Sequence, residues 1–217
     1  MPEPLPAPLR RADESPDGLF YAHPRLVTHI DAAAIAAVTD LYRRRLPAGG
    51  RVLDLMSSWV SHLPPEVEYA HVAGLGLNAV ELANNPRLHE RVVHDLNADP
   101  RLPLPARAFD AAVCCVSIDY LTRPTAVLRD LGRVLRPGGL FVATFSNRCF
   151  PTKAAGDWLW RDDAGRRALV AGFLRAAGNW ADVDGFDCSP PGGGDPLSAV
   201  VGRSTGPGGG GGPAPPG

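Results

Sequence analysis

The sequence predicts an α/β domain: a mostly parallel seven-stranded sheet with an antiparallel last strand and helices on both faces. Three observations predict it. Ala111–Val116 is an apolar run with no polar face, as expected for a strand covered on both sides. Segments with helical spacing alternate with short strand-like runs, which calls for a parallel sheet. Two closing runs, Ala181–Cys188 and Leu197–Gly202, are joined by a Pro/Gly turn and read as an antiparallel pair.

The elements follow in order. A helix is expected over His29–Arg45, with Thr28 as its N-cap and Asp31 at the capping-box position. Ile30, Ala34, Val38, Leu41 and Tyr42 form its apolar stripe. Arg43, Arg44 and Arg45 complement the helix dipole, and Pro47–Gly50 ends it. Strands are expected at Arg51–Leu55, Tyr69–Gly74, Arg91–His94, Ala111–Val116 and Leu140–Phe145, with a helix near Asn78–Ala83. A helix over Pro124–Leu135 has Thr122 as its cap and an inner face of Val127, Leu128, Leu131, Val134 and Leu135; Pro137-Gly138-Gly139 stops it. Asp163–Ala177 is the last helix, stopped by Gly178.

The chain of 217 residues, 45% hydrophobic, is long enough to bury one core. Residues 1–18, rich in Pro and charge, read as a flexible arm; 19–203 as the α/β domain; and 204–217 as a disordered Gly/Pro tail. A formal net charge of −1 gives no field that would draw the chain to nucleic acid or an acidic membrane. None of the 4 Cys forms a C-x-x-C pair, and Cys114 and Cys115 read as buried free thiols. His23, His29, His71, His89 and His94 show no metal-ligand spacing, so no metal is expected. No apolar stretch reaches the roughly 20 residues that span a bilayer. Met1–Pro6 lacks the features of a signal peptide, and the cytoplasm is the default expectation.

Three blocks carry a family likeness. They are Val52-Leu53-Asp54-Leu55, the run Leu104–Val113 with Phe109-Asp110-Ala111-Ala112-Val113, and Leu135-Arg136-Pro137-Gly138-Gly139-Leu140-Phe141. The chain resembles class I S-adenosylmethionine-dependent methyltransferases of the type 11-like kind, with a Rossmann-like core. Within them it looks like a variant group marked by Asp54–Pro64 and Ser146–Lys153. The resemblance implies S-adenosylmethionine as cofactor, bound at the carboxyl edge of the sheet, and a small-molecule methyl acceptor.

The family loop after the first strand is D/E-x-G-x-G-x-G, in which glycines let the backbone approach the cofactor. Here Met56, Ser58 and Val60 stand in place of all three glycines. Ser57 and Ser58 offer hydroxyls to the cofactor carboxylate instead, and Asp54 its carboxylate to the ammonium. The alternative for Asp54 is a strand-end acid bonded to local amides. The acid that should take the ribose hydroxyls after the second strand falls on Gly76, beside Gly74. Asn78 either substitutes through its amide oxygen or caps the next helix. Asp95 and Leu96 follow the third strand, where the family holds adenine; the alternative is a solvated turn.

Methyl transfer from a sulfonium needs alignment and exclusion of water more than a strong base. After the fourth strand, Ser117, Asp119 and Tyr120 face the expected methyl position: Ser117 as a cofactor contact, Asp119 as a base or else a helix-entry or turn acid, Tyr120 as an acceptor contact or else a half-buried packing residue. His62, in the loop that lost its glycines, titrates in a useful range. Asn147, Arg148 and Lys153 would suit an anionic acceptor, with Phe150, Trp158 and Trp160 covering it. The leading expectation is methyl transfer to a small molecule. The runner-up is a catalytically degenerate binding or interaction domain, supported by the lost glycines. A nicotinamide-dependent oxidoreductase lacks its G-x-G-x-x-G.

Overall fold

A computed structural model describes residues 9–206. Residues 1–8 and 207–217, which hold part of the expected arm and most of the expected tail, lie outside the described residues. The strands are β1 (Arg51–Leu55), β2 (His71–Gly76), β3 (Glu90–Val93), β4 (Phe109–Cys115), β5 (Leu135–Phe145), β6 (Trp180–Asp187) and β7 (Ser198–Ser204). The helices are α1 (Asp17–Phe20), α2 (Ala32–Arg45), α3 (Ala79–Asn84), α4 (Pro124–Val134) and α5 (Asp163–Ala177). One sheet contains all seven strands, in the order β3-β2-β1-β4-β5-β7-β6. Only β7 is reversed, pairing antiparallel with both β5 and β6.

Alternate residues of the central strands feed two cores, as a period of two requires. Leu53, Leu55, Ala112, Cys114, Phe141 and Ala143 pack against α4 and α5. Val52, Val72, Ala111, Val113 and Val142 pack against Ile30, against Ala34, Val38, Leu41 and Tyr42 of α2, and against Leu82 of α3. Cys114 is buried as expected; Cys115 is half-buried. Among the described residues no helix is long and apolar enough to cross a membrane.

Several boundaries differ from the sequence reading. Asp31, not Thr28, is the N-cap of α2, accepting from Ala34 N at 2.8 Å. Thr122 does not cap α4; its hydroxyl donates to Asn97 Oδ1, and Arg123 occupies the cap position without a side-chain bond. β5 starts at Leu135 rather than Leu140. Its partner register jumps from Phe109↔Leu135 to Ala111↔Leu140, so Arg136–Gly139 bulge out and return, with Gly138 at φ +79°.

The larger difference is at the start. Residues 9–18, expected to be a flexible arm, are tied to the domain at several points although most of them are exposed. Leu9 N donates to Thr122 O and Asp13 N to Thr152 O. Lys153, fully buried, puts Nζ 2.7 Å from Ser15 O, 3.2 Å from Asp13 and 3.3 Å from Asp17. Arg11 pairs with Asp17 at 2.8 Å. This strap continues through residues 21–29 across the carboxyl ends of β1 and β2.

Candidate functional site

A cleft opens at the carboxyl edge of β1, β2 and β4, where strand order reverses between β1 and β4. It encloses about 840 Å³ of space, open solvent at its mouth included. Its floor is the loop after β1, one wall is the β3–β4 side, and the strap forms its cover.

The loop after β1 is closed by side-chain hydrogen bonds rather than glycines. Met56 turns the chain at φ 57°, an uncommon conformation for a residue with a side chain. Ser57 N then donates to Leu75 O at 2.7 Å. The Ser57 and Ser61 hydroxyls both donate to Asp54 Oδ2, at 2.6 and 2.7 Å. Asn85 Nδ2 donates to Ser58 O and Ser61 Oγ. Asp54 is buried, and burial pushes its carboxyl up to about 6 against the two serine bonds. It does not line the cleft. The bonds it makes in this structure are local and pin the loop.

Gly74 also lies off the cleft. A Cβ there would meet Leu88 Cδ1 at 2.4 Å and Ser57 Oγ at 3.1 Å, so it serves packing under the loop. Gly76 does line the cleft, and a Cβ on it would lie 2.2 Å from Ser57 O. The expected ribose acid is thus absent where the rewritten loop crosses the end of β2.

Ser57 and Ser58 line the cleft. Ser58 Oγ donates to Glu81 Oε2 at 2.6 Å. Asn78 lines it too, but Oδ1 accepts from Val80 N and Glu81 N while Nδ2 donates to Tyr21 O. Its capping alternative is the one present, and the amide oxygen expected for ribose is occupied. Asp95 and Leu96 line the β3 end. Asp95 Oδ1 closes the turn by accepting from Asn97 N and Ala98 N, and among the described residues Oδ2 accepts no hydrogen bond. Leu96 is buried beside it.

The candidates after β4 divide. Ser117 lines the cleft and donates to Cys115 O. Tyr120 lines it with its phenol oxygen accepting from Phe150 N at 2.9 Å, and burial pushes its pKa up. Asp119 is buried and is not among the residues that line the cleft. Burial pushes it up to about 7, and Oδ2 finds no partner among the described residues. His62 is also off the cleft: its carbonyl accepts from Thr39 Oγ1 of α2, and burial pushes its imidazole down. Arg148 pairs with Asp195 at 2.7 Å, and Lys153 holds the strap. Trp158 packs on Phe145 in the core while Trp160 is 89% exposed. Phe150 alone of the expected aromatic cover lines the cleft.

Sequence reasoning missed Tyr21, Arg25, His29 and Glu81, all of which line the cleft. Arg25 lies 4.7 Å from the Phe20 centroid and 5.3 Å from that of Phe150. Arg25 Nη1 and Tyr21 Oη are buried without partners among the described residues. His29 stands edge-on to Phe150 at 5.3 Å, and desolvation pushes its imidazole down. Their signal lay in tertiary contacts, which no local pattern in residues 19–29 or in the expected Asn78–Ala83 helix carries.

Comparison with known proteins agrees with this architecture. Residues 57–143 match the family model described as a methyltransferase domain. The ubiquinone biosynthesis O-methyltransferase of Xanthomonas axonopodis pv. citri (strain 306) is 33% identical over 118 residues. That match covers 46% of this chain and spans 45% of the relative, less than half its length. The [4+2]-cyclase SpnF superposes with a TM-score of 0.62 at 17% identity, covering 92% of this chain and 99% of that one. A methyltransferase from Aquifex aeolicus, described as S-adenosylmethionine-dependent, gives 0.57 at 14%, covering 80% and 94%. Residues 57–143 are therefore similar in sequence to a methyltransferase domain, and the chain shares its fold with these solved structures.

Proposed function

We propose that this cleft binds S-adenosylmethionine and that the chain transfers its methyl group to a small-molecule acceptor. The observation that carries the reading is convergence. Side chains after β1, β2, β3 and β4 meet in one cleft at the switch point, and its unfilled valences suit this ligand. Arg25 Nη1 and Tyr21 Oη are buried donors lacking an acceptor, which a carboxylate would satisfy. Asp95 Oδ2 is open to an amino group, and Leu96 offers an apolar surface to a planar base.

When bound, the sulfonium would supply an already activated methyl group. This chain's own residues then orient and shield. The strap, with Tyr21, Arg25 and Phe150, covers the cleft and keeps water out. His29, neutral through desolvation and without a hydrogen bond among the described residues, is placed to take a proton from an acceptor hydroxyl. The likeness to an O-methyltransferase supports a hydroxyl acceptor.

A second reading is favoured by one specific observation. The loop has spent Asp54 on its own serines and laid its backbone over Gly76, as a domain that binds without transferring methyl would tolerate. The superposition on a protein described as a cyclase supports it. Titration calorimetry with S-adenosylmethionine and S-adenosylhomocysteine tests the first reading. Micromolar binding of both is expected; no heat and no thermal shift on folded protein overturns it. Stoichiometric binding with no S-adenosylhomocysteine formed in a metabolite extract favours the second.

A further inference from the structure

We infer that Glu81 is the carboxylate that receives the vicinal hydroxyls of a ribose in this cleft, a role moved from the end of β2 into α3. The inference rests on the nucleoside-cofactor reading above and deepens it. Its ground is where this chain's acids point and what already occupies them.

Three carboxylates line the cleft: Asp17, Asp95 and Glu81. Asp17 is filled. Arg11 donates to both its oxygens, and Asn97 Nδ2 to Oδ2 at 2.7 Å, with Lys153 Nζ at 3.3 Å. Asp95 belongs to the β3 end and closes its own turn. Glu81 remains, and it follows β2 by five residues.

Its orientation is not the one its local sequence predicts. Asn78-Ala79-Val80-Glu81 is a capping-box spacing, in which the acid would reach back to the backbone N–H of Asn78. Instead Glu81 turns into the cleft, where Ser58 Oγ donates to Oε2 at 2.6 Å and Arg25 N to Oε1 at 2.7 Å. One bond falls on each oxygen, so each keeps a lone pair for a further donor. Two adjacent hydroxyls match two such oxygens. Two neighbours, the loop after β1 and the strap, hold the carboxylate in this pose, and Glu81 is only 9% exposed.

The same contacts explain why the acid is not at position 76. The Ser57 carbonyl occupies the space in which any side chain there would begin. Of the lining residues that follow β2, which include Leu77 and Asn78, Glu81 in the first turn of α3 is the acid.

The test is displacement of S-adenosylhomocysteine from the full chain by adenosine and by 2′,3′-dideoxyadenosine. Wild type should prefer adenosine by at least about tenfold, the scale of losing hydrogen bonds to a charged group. Glu81→Gln should reduce that preference to about threefold or less, with affinity for the dideoxy compound little changed. Ser58→Ala breaks the tie to the loop but leaves the carboxylate, and should keep the preference. Equal loss of preference in Ser58→Ala and Glu81→Gln would mean that Glu81 only anchors the loop. Bound S-adenosylhomocysteine that neither nucleoside displaces, or that both displace equally from wild type, overturns the Glu81 assignment alone. A wild type that binds no S-adenosylhomocysteine overturns the cofactor reading and this inference with it.

Discussion

A Cβ on Gly76 would lie 2.2 Å from the carbonyl oxygen of Ser57. Backbone cannot yield at that distance without moving the loop that Asp54, Ser61 and Asn85 hold in place. Gly76→Asp, which writes the family's usual acid back into its usual position, should therefore harm rather than help. The expected cost is about 2–3 kcal/mol of overpacking, or a melting point lower by about 4–12 °C. S-adenosylhomocysteine affinity should fall with it. A Gly76→Asp variant that melts like wild type and binds more tightly would sink this account of the lost acid.

Asp54 gives the loop a pH signature. Its carboxyl sits at about 6 in the folded chain against an ordinary 3.8, raised by burial and partly offset by Ser57 and Ser61. The folded state therefore binds its proton more tightly than the unfolded chain does. This group's contribution to stability is greatest below about pH 4, declines up to about pH 6 and is flat above, a span of about 3 kcal/mol. Asp54→Asn removes the titration, and its amide oxygen can still receive both serine hydroxyls, since both now fall on one oxygen. The melting point of the variant minus that of wild type should thus rise between pH 4 and pH 8 by about 6 °C or more. A difference that stays level across that range contradicts the buried-acid description.

The strap depends on Lys153. Its ammonium is fully buried and shared among Ser15, Asp13 and Asp17, so removing it leaves a buried Asp17 with Arg11 and Asn97 alone. Lys153→Met should cost about 3–5 kcal/mol, as for other broken buried pairs. Hydrogen exchange at residues 9–20 should quicken before the sheet is affected, and trypsin should cut after Arg11. A variant destabilised to that extent with no change in exchange over residues 9–20 would place the role of Lys153 elsewhere.

Arg25 separates ligand parts. If its partnerless Nη1 meets a carboxylate, Arg25→Ala should weaken S-adenosylhomocysteine by about 10- to 100-fold, the value of a charge-assisted bond. 5′-Methylthioadenosine has no carboxylate and should be weakened much less. Equal losses for both ligands would show that Arg25 merely packs on Phe20 and Phe150.

The fold was legible because it is written locally. Ala111–Val116, Pro124–Leu135 and Asp163–Ala177 each state their periodicity and their ends within one segment, and Asp163–Ala177 matches α5 end to end. The site was half legible. Ser57, Ser58, Asn78, Asp95, Leu96, Ser117 and Tyr120 reach the cleft because a strand end places them there whatever the neighbours do. Glu81 and Arg25 were hidden because their orientation is set by partners 23 and 56 residues away along the chain. The strap was misread for the same reason. Its Pro and charged residues resemble those of a free arm, and the lysine that binds it lies 138 residues from Ser15.

His62 and His29 make opposite predictions from similar chemistry. Both imidazoles are pushed down by desolvation, so both are neutral bases at pH 7. Only His29 lines the cleft; His62 is turned toward α2 at φ 52°, with its carbonyl tied to Thr39. His62→Asn, a residue that tolerates this backbone, should leave S-adenosylhomocysteine affinity and methyl transfer to a hydroxylated acceptor within about twofold of wild type. His29→Asn should leave cofactor affinity similar but lower transfer by about 100-fold, the usual value of a positioned general base. Because His29 is lowered by burial, the rising limb of the wild-type pH–rate profile should lie below the ordinary histidine value of 6.5. A profile whose limb survives His29→Asn but vanishes in His62→Asn would reverse the assignment.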